Sequence, residues 1–136
     1  MKALLFFTLA LFSFGAAAVT TWNCKEIYDV RLEVLKPRIS VVVQELRDIT
    51  KIIPGPRQYD AVYEVRVTII STFRGQTTIL KQFVSTSAKE DVNYKMASMK
   101  ERVAFWMYLD ELDQSGIKFQ DGSRVRNVSL NCTSNN

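Results

Sequence analysis

A small, mainly β domain is the fold class this sequence predicts, and three observations predict it. Tyr63, Val65, Val67 and Ile69 alternate with Glu64, Arg66, Thr68 and Ile70, a period-2 pattern in β-branched and aromatic residues that reads as a half-buried strand. Two further stretches repeat that alternation: Ile39, Val41 and Val43 within 38–49, and Ile79, Lys81, Phe83 and Ser85 against Leu80, Gln82 and Val84 within 78–87. Turn chemistry separates the runs, at Ile53-Pro54-Gly55-Pro56-Arg57, at Gly75-Gln76-Thr77 and at Gln120-Asp121-Gly122-Ser123.

The elements follow in order. Residues 19–23 are a short polar lead-in containing Trp22. Residues 25–35 carry Ile27, Val30 and Val34 as a weak helical stripe ended by Pro37, with a strand through Val30, Leu32 and Val34 as the alternative. The strand over 38–49 keeps its assignment despite the helix-friendly residues 44–48, because β-branched density outweighs them. Residues 59–75 form the central strand, and 78–87 a third strand paired to it as a hairpin.

Residues 88–94 are expected to be a charged loop. Within 96–112, Met96, Met99, Val103, Trp106 and Met107 fit a helical stripe, while Val103, Phe105, Met107 and Leu109 fit a strand face, so local pattern leaves both open. A turn over 113–116, a short apolar piece at 117–119 and a last strand over 124–132 complete the chain. No internal repeat, low-complexity tract or second domain is visible.

The chain has 136 residues, with 47% hydrophobic and 24% charged residues, which is ordinary for one folded domain. Its start resembles an export leader. Lys2 is followed by an apolar run over 3–14 and by Ala16, Ala17 and Ala18, the small residues a signal peptidase needs. The expectation is a signal peptide over 1–18 and a mature, secreted, extracellular domain over 19–136. A membrane anchor is the competing reading, but the apolar run is short for a span of about 20 residues. The net charge of +4 comes from dispersed Lys and Arg, which argues against a nucleic-acid partner.

Cys24 and Cys132 are the only cysteines. In an oxidising compartment two cysteines without a competitor are expected to pair, with free thiols or an intermolecular bond as the alternatives. Asn127-Val128-Ser129 and Asn131-Cys132-Thr133 are glycosylation sequons, which places that end of the chain at the surface.

The chemistry is marked by absences. With no histidine, Ser–His and Cys–His nucleophile pairs are missing, and two paired cysteines leave no common zinc site. No glycine-rich phosphate loop occurs. Asp110, Glu111 and Asp113 could hold a hard cation, but at a turn they read as a solvated cluster. No enzyme, catalytic residue, metal or cofactor is expected. Trp22, Phe73, Phe105, Trp106 and Tyr108 could line a ligand groove, with half-buried sheet faces as their ordinary home.

The order of three motifs resembles the netrin-type (NTR) module, with the N-terminal domain of the tissue inhibitors of metalloproteinases (TIMP-like) as the comparison. Tyr63-Glu64-Val65-Arg66-Val67, running to Thr72-Phe73-Arg74-Gly75, looks like that family's "YEV…I…FKG" strand and turn. Val84-Ser85-Thr86-Ser87-Ala88 looks like its next strand and small-residue loop. Asp121-Gly122, then Val128-Ser129-Leu130-Asn131-Cys132, looks like its "DG…I-x-x-C" close. Residues 102–109 sit where that family has a strand, which favours strand there.

The resemblance implies a five-stranded OB-fold, a Greek-key barrel with one or two flanking helices. It also implies a bridge between the positions of Cys24 and Cys132. By the same resemblance, the partner-binding residues would be Val19, Thr20, Thr21, Trp22, Asn23 and Cys24, together with Ser87 and Ala88. The family's inhibitors open with Cys-x-Cys, whose first residue chelates the protease zinc; here Trp22 holds that place in Trp22-Asn23-Cys24. The expectation is a monomeric secreted module that binds an extracellular protein, with a metalloproteinase as the narrower candidate. The alternative is a secreted carrier of small apolar ligands in a β-barrel or cystatin-like fold.

Overall fold

The computed structural model describes residues 20–27, 36–52 and 61–135. Eight strands, β1 (Thr21–Glu26), β2 (Arg38–Asp48), β3 (Ala61–Phe73), β4 (Gln76–Glu90), β5 (Asn93–Ser98), β6 (Val103–Tyr108), β7 (Ser115–Asp121) and β8 (Arg124–Ser134), form one closed barrel. Each strand pairs antiparallel with the next, and β8 returns to pair antiparallel with β1. The mainly β expectation holds.

The five-stranded Greek-key OB-fold with flanking helices does not. The order is an unbroken meander, and among the described residues the only helical pieces are 3-10 turns at Thr50–Ile52 and Leu112–Gln114. The short strands account for the miscount. The lead-in around Trp22 is β1. The charged loop over 88–94 is the end of β4, a turn at Asp91-Val92 and the start of β5. The ambiguous stretch over 96–112 holds the end of β5 and all of β6 around a turn, and the apolar piece at Ile117 is the middle of β7. Six-residue strands give only three inward positions each, too few for period-2 alternation to stand out. The leader over 1–18, most of the helical stripe over 25–35, and the turn at 53–57 lie outside the described residues.

Tight connections make the meander possible. Arg74 and Gly75 both have positive φ, 51° and 80°, the pairing whose twist suits a two-residue hairpin between β3 and β4. Asp91, with φ 56°, opens the equally short turn into β5. At the opposite side Thr50 ties the chain after β2 to β3: its Oγ1 accepts from the Val62 amide at 2.8 Å.

Inward positions carry the apolar residues. Ile39, Val41 and Val43 of β2, Val65, Val67 and Ile69 of β3, Phe105 and Met107 of β6, Ile117 and Phe119 of β7 and Leu130 of β8 are 0–2% exposed. An eight-stranded barrel is just wide enough for side chains to fill it, and the bulk of Phe105, Phe119, Tyr94 and Met107 does so here. Outward positions carry Lys25, Arg66, Gln82, Lys95, Lys118 and Asn131. This is the reverse of the lipid-facing pattern of a membrane barrel. No helix among the described residues is long and apolar enough to cross a membrane.

Cys24 and Cys132 form the expected disulfide. They stand directly opposite one another in the β1–β8 ladder, so the bridge staples the seam at which the meander closes.

Candidate functional site

Two places on this barrel gather side chains that the core does not consume. The first is a groove on the outer face of β4, β5, β6 and β7. Register builds it from two cross-strand rows. Ala88, Lys95, Trp106 and Gly116 are successive partners across the four strands, and Ala97, Ala104 and Lys118 form the next row. Small residues thus make the floor while Trp106 and Tyr108 make a wall.

Gly116 has a specific task in this arrangement. A β-carbon there would stand 2.4 Å from Cζ2 of Trp106, so only glycine lets the indole settle across β7. The groove has two adjoining parts, about 550 and 570 Å³, which share Ala97 and Ala104. The second part reaches the β5–β6 turn, where Met99 is 93% exposed. The charged residues lining both parts are Lys95, Arg102 and Lys118, all basic.

The groove begins where the barrel wall thins. β4 and β5 share a ladder only from Ser87 to Glu90. Beyond it, the Ser85 hydroxyl donates to the Ala97 carbonyl at 2.9 Å and Lys81 Nζ to the Glu101 carbonyl at 2.9 Å. Side chains take over from backbone pairing at this seam, and the inward Met96 and Phe105 reach the groove through it.

The second place is inside, at the end of the barrel where β1 begins. Glu45, 6% exposed, projects into the interior from β2 and accepts a 2.7 Å hydrogen bond from the Tyr94 hydroxyl. Tyr94 is ringed by Tyr63, stacked at 6.4 Å between centroids, and by Trp22, tilted at 6.4 Å. Burial first, then the bond to Glu45 and its charge and that of Tyr63, push the Tyr94 phenol far above its ordinary value. The hydrogen bond with the Ser87 hydroxyl, next in size to burial, pulls the other way. Ser87 Oγ faces the Tyr94 hydroxyl, and Trp22 Nε1 is buried without a protein partner.

The residues singled out by the resemblance are divided between these places. Trp22 and Ser87 face inward around Tyr94, whereas Ala88 lines the outer groove. Thr20 accepts from the Glu45 amide at 2.9 Å, and Thr21 accepts from the Asn135 amide at 2.9 Å. Asn23 donates to the Asn135 side chain at 2.8 Å, and Cys24 is in the core. Val19 lies outside the described residues.

Of the aromatic candidates, Phe105 is core, Trp106 and Tyr108 line the groove, and Phe73 sits at the β3–β4 tip under the Arg74 guanidinium, 5.0 Å from its ring centre. Asn127 and Asn131 are both exposed on the outer face of β8. Among the described residues no group of His, Cys, Asp or Glu is placed to hold a metal ion. Sequence reading missed Lys95, Ala97, Ala104 and Lys118, because only the register of short strands shows that small residues align beside Trp106. No family model, curated protein or solved structure matches the chain.

Proposed function

We propose that this protein is an exported binding module that works from the outside of a packed barrel. The groove across β4–β7 would dock a segment of an extracellular protein in which apolar side chains are flanked by acidic ones. The observation that carries this reading is the make-up of the groove. Its floor is alanine, its walls are Trp106, Tyr108 and Met99, and its charged lining is wholly basic. Aromatic, methionine and arginine side chains around a recess are the groups that anchor protein interfaces, and an acidic partner is the complement of that charge.

Export rests on the leader-like residues 1–18, and the Cys24–Cys132 bridge suits an oxidising compartment. The carrier alternative is less well supported, because the inward positions are filled by side chains from Ile39 to Leu130. Inhibition of a metalloproteinase by the segment around Trp22 has little to work with, since Trp22 packs inward against Tyr94.

The test is site-specific photo-crosslinking in extracellular fluid with a crosslinker at Ala104 in the groove or at Lys25 on β1. One discrete protein crosslinked from position 104 and not from position 25 supports the reading. Crosslinking from position 25 alone, or lipid recovered from position 104, contradicts it.

A further inference from the structure

We propose that Asn127 and Asn131 both carry N-linked glycans, and that occupancy at Asn131 is set by a race between sugar transfer and closure of the Cys24–Cys132 bridge. A sequon's acceptor and hydroxyl are two residues apart, which is the side-chain period of a strand, so in β8 they share one face. Asn127, Ser129, Asn131 and Thr133 are all exposed on the outside of the barrel, while Val128, Leu130 and Cys132 between them are buried. Their cross-strand neighbours are Lys118 and Gly116 of β7 and Lys25 and Asn23 of β1, all small or polar. A sugar on either asparagine therefore projects into solvent and leaves the ladders and the bridge intact. Four residues of strand set the two acceptors about 13 Å apart, so the glycans stand side by side without excluding one another.

The co-substrate is a lipid-linked oligosaccharide of the export compartment. In the transfer step the asparagine amide nitrogen bonds to C1 of the sugar and gives up a proton. The bond from C1 to the lipid pyrophosphate breaks, and its electron pair leaves on the pyrophosphate. A transferase must take the acceptor segment into its own cleft, which a strand paired along both edges cannot enter. In the closed barrel β8 is such a strand: Asn127 is laddered to Lys118 of β7, and Asn131 to Lys25 of β1. Sugar is therefore added before the barrel closes. Closure comes soonest at Asn131, because Cys132 is the middle residue of its sequon and bonds to Cys24. Cys24 lies 108 residues upstream, so it is already in the compartment when Cys132 arrives. Asn127 enters earlier and is not next to the bridge, so it is expected to be filled almost completely and Asn131 only in part.

This proposal rests on export, the first part of the function proposed above, and not on docking in the outer groove. The experiment is expression of the full-length chain in animal cells, with peptide N-glycosidase treatment and mass spectrometry of the chain from medium and from lysate. Each occupied asparagine is then read as its conversion to aspartate. Nearly complete conversion at position 127 and incomplete conversion at position 131 are expected. Cys24→Ser removes the bridge and keeps both sequons, so occupancy at Asn131 is expected to rise to the level at Asn127. It is measured in the lysate, where a variant that fails to fold still reports. Chain recovered from the medium with both asparagines bare would overturn the proposal and leave export standing, whereas chain retained in the cytosol would overturn both. Equal occupancy of the two sites in the wild type, or no rise at Asn131 in the Cys24 variant, would contradict the race with the bridge.

Discussion

The indole of Trp106 rests against Gly116 of the neighbouring strand so closely that no side chain fits between them: a β-carbon at position 116 would stand 2.4 Å from one ring atom and 2.8 Å from a second. That contact lays Trp106 across β7 and leaves Ala97 and Ala104 open as the floor of the groove. Gly116→Ala is therefore expected to drive the indole outward over the floor. Overpacking of this kind costs about 1–3 kcal/mol. Chemical denaturation of the variant, read with tryptophan emission, checks both parts: lower stability and a more solvent-exposed indole. An unchanged unfolding midpoint would mean that Trp106 does not rest on Gly116.

The disulfide staples the seam between the first strand and the last. It joins residues 108 apart in the chain, and closing a loop of that size removes about 4–5 kcal/mol of unfolded-state entropy. The double variant Cys24→Ser, Cys132→Ser is expected to lose a comparable amount in urea unfolding. Its hydrogen-exchange protection is expected to fall first along β1 and β8, the ladder that the bridge spans. Uniform loss across all eight strands would show the barrel to be one cooperative unit without a weak seam.

Tyr94 makes stability depend on alkaline pH. Its pKa is raised in the folded state, so below the ordinary phenol value of about 10 both states hold the proton and its contribution is fully present. Above that value the unfolded chain gives up the proton while the folded one keeps it, and stability falls as pH rises. Tyr63, whose pKa is raised by burial and then by Glu45 and Asp48, adds to the same slope. Tyr94→Phe is expected to flatten the decline between pH 10 and 11 without abolishing it, measured by urea midpoints. An unchanged slope would place Tyr94 in solvent.

Long strands were legible in the sequence and short ones were not. β2 and β3, 11 and 13 residues long, repeat their inward Val and Ile often enough for alternation to be seen. β5 and β6 offer three inward residues each, Tyr94 and Met96 among them, inside a stretch whose methionines also fit a helical stripe. Tertiary pairing decided between those readings, and nothing local to 96–108 could have done so. The Cys24–Cys132 pair was legible because two cysteines permit one intramolecular connection.

The two candidate sites were harder to see for a different reason. Each is a cross-strand neighbourhood. Ala104 gains its meaning from standing between Ala97 and Lys118, and Glu45 from facing a tyrosine 49 residues away. A resemblance built on motif order pointed to Trp22 and Ser87, which the barrel does bring to the same tyrosine, although on its inner side.

Whether partners are met on the outer groove is decided by one comparison, the affinity of the protein crosslinked from position 104 for wild-type and Ala104→Glu barrels. Ala104 is exposed, so the substitution leaves the core alone while filling the floor and opposing the basic lining. A loss of roughly tenfold or more is predicted, as expected for a blocked and charge-mismatched contact at the centre of an interface. Equal affinity for the two barrels would contradict docking in the groove.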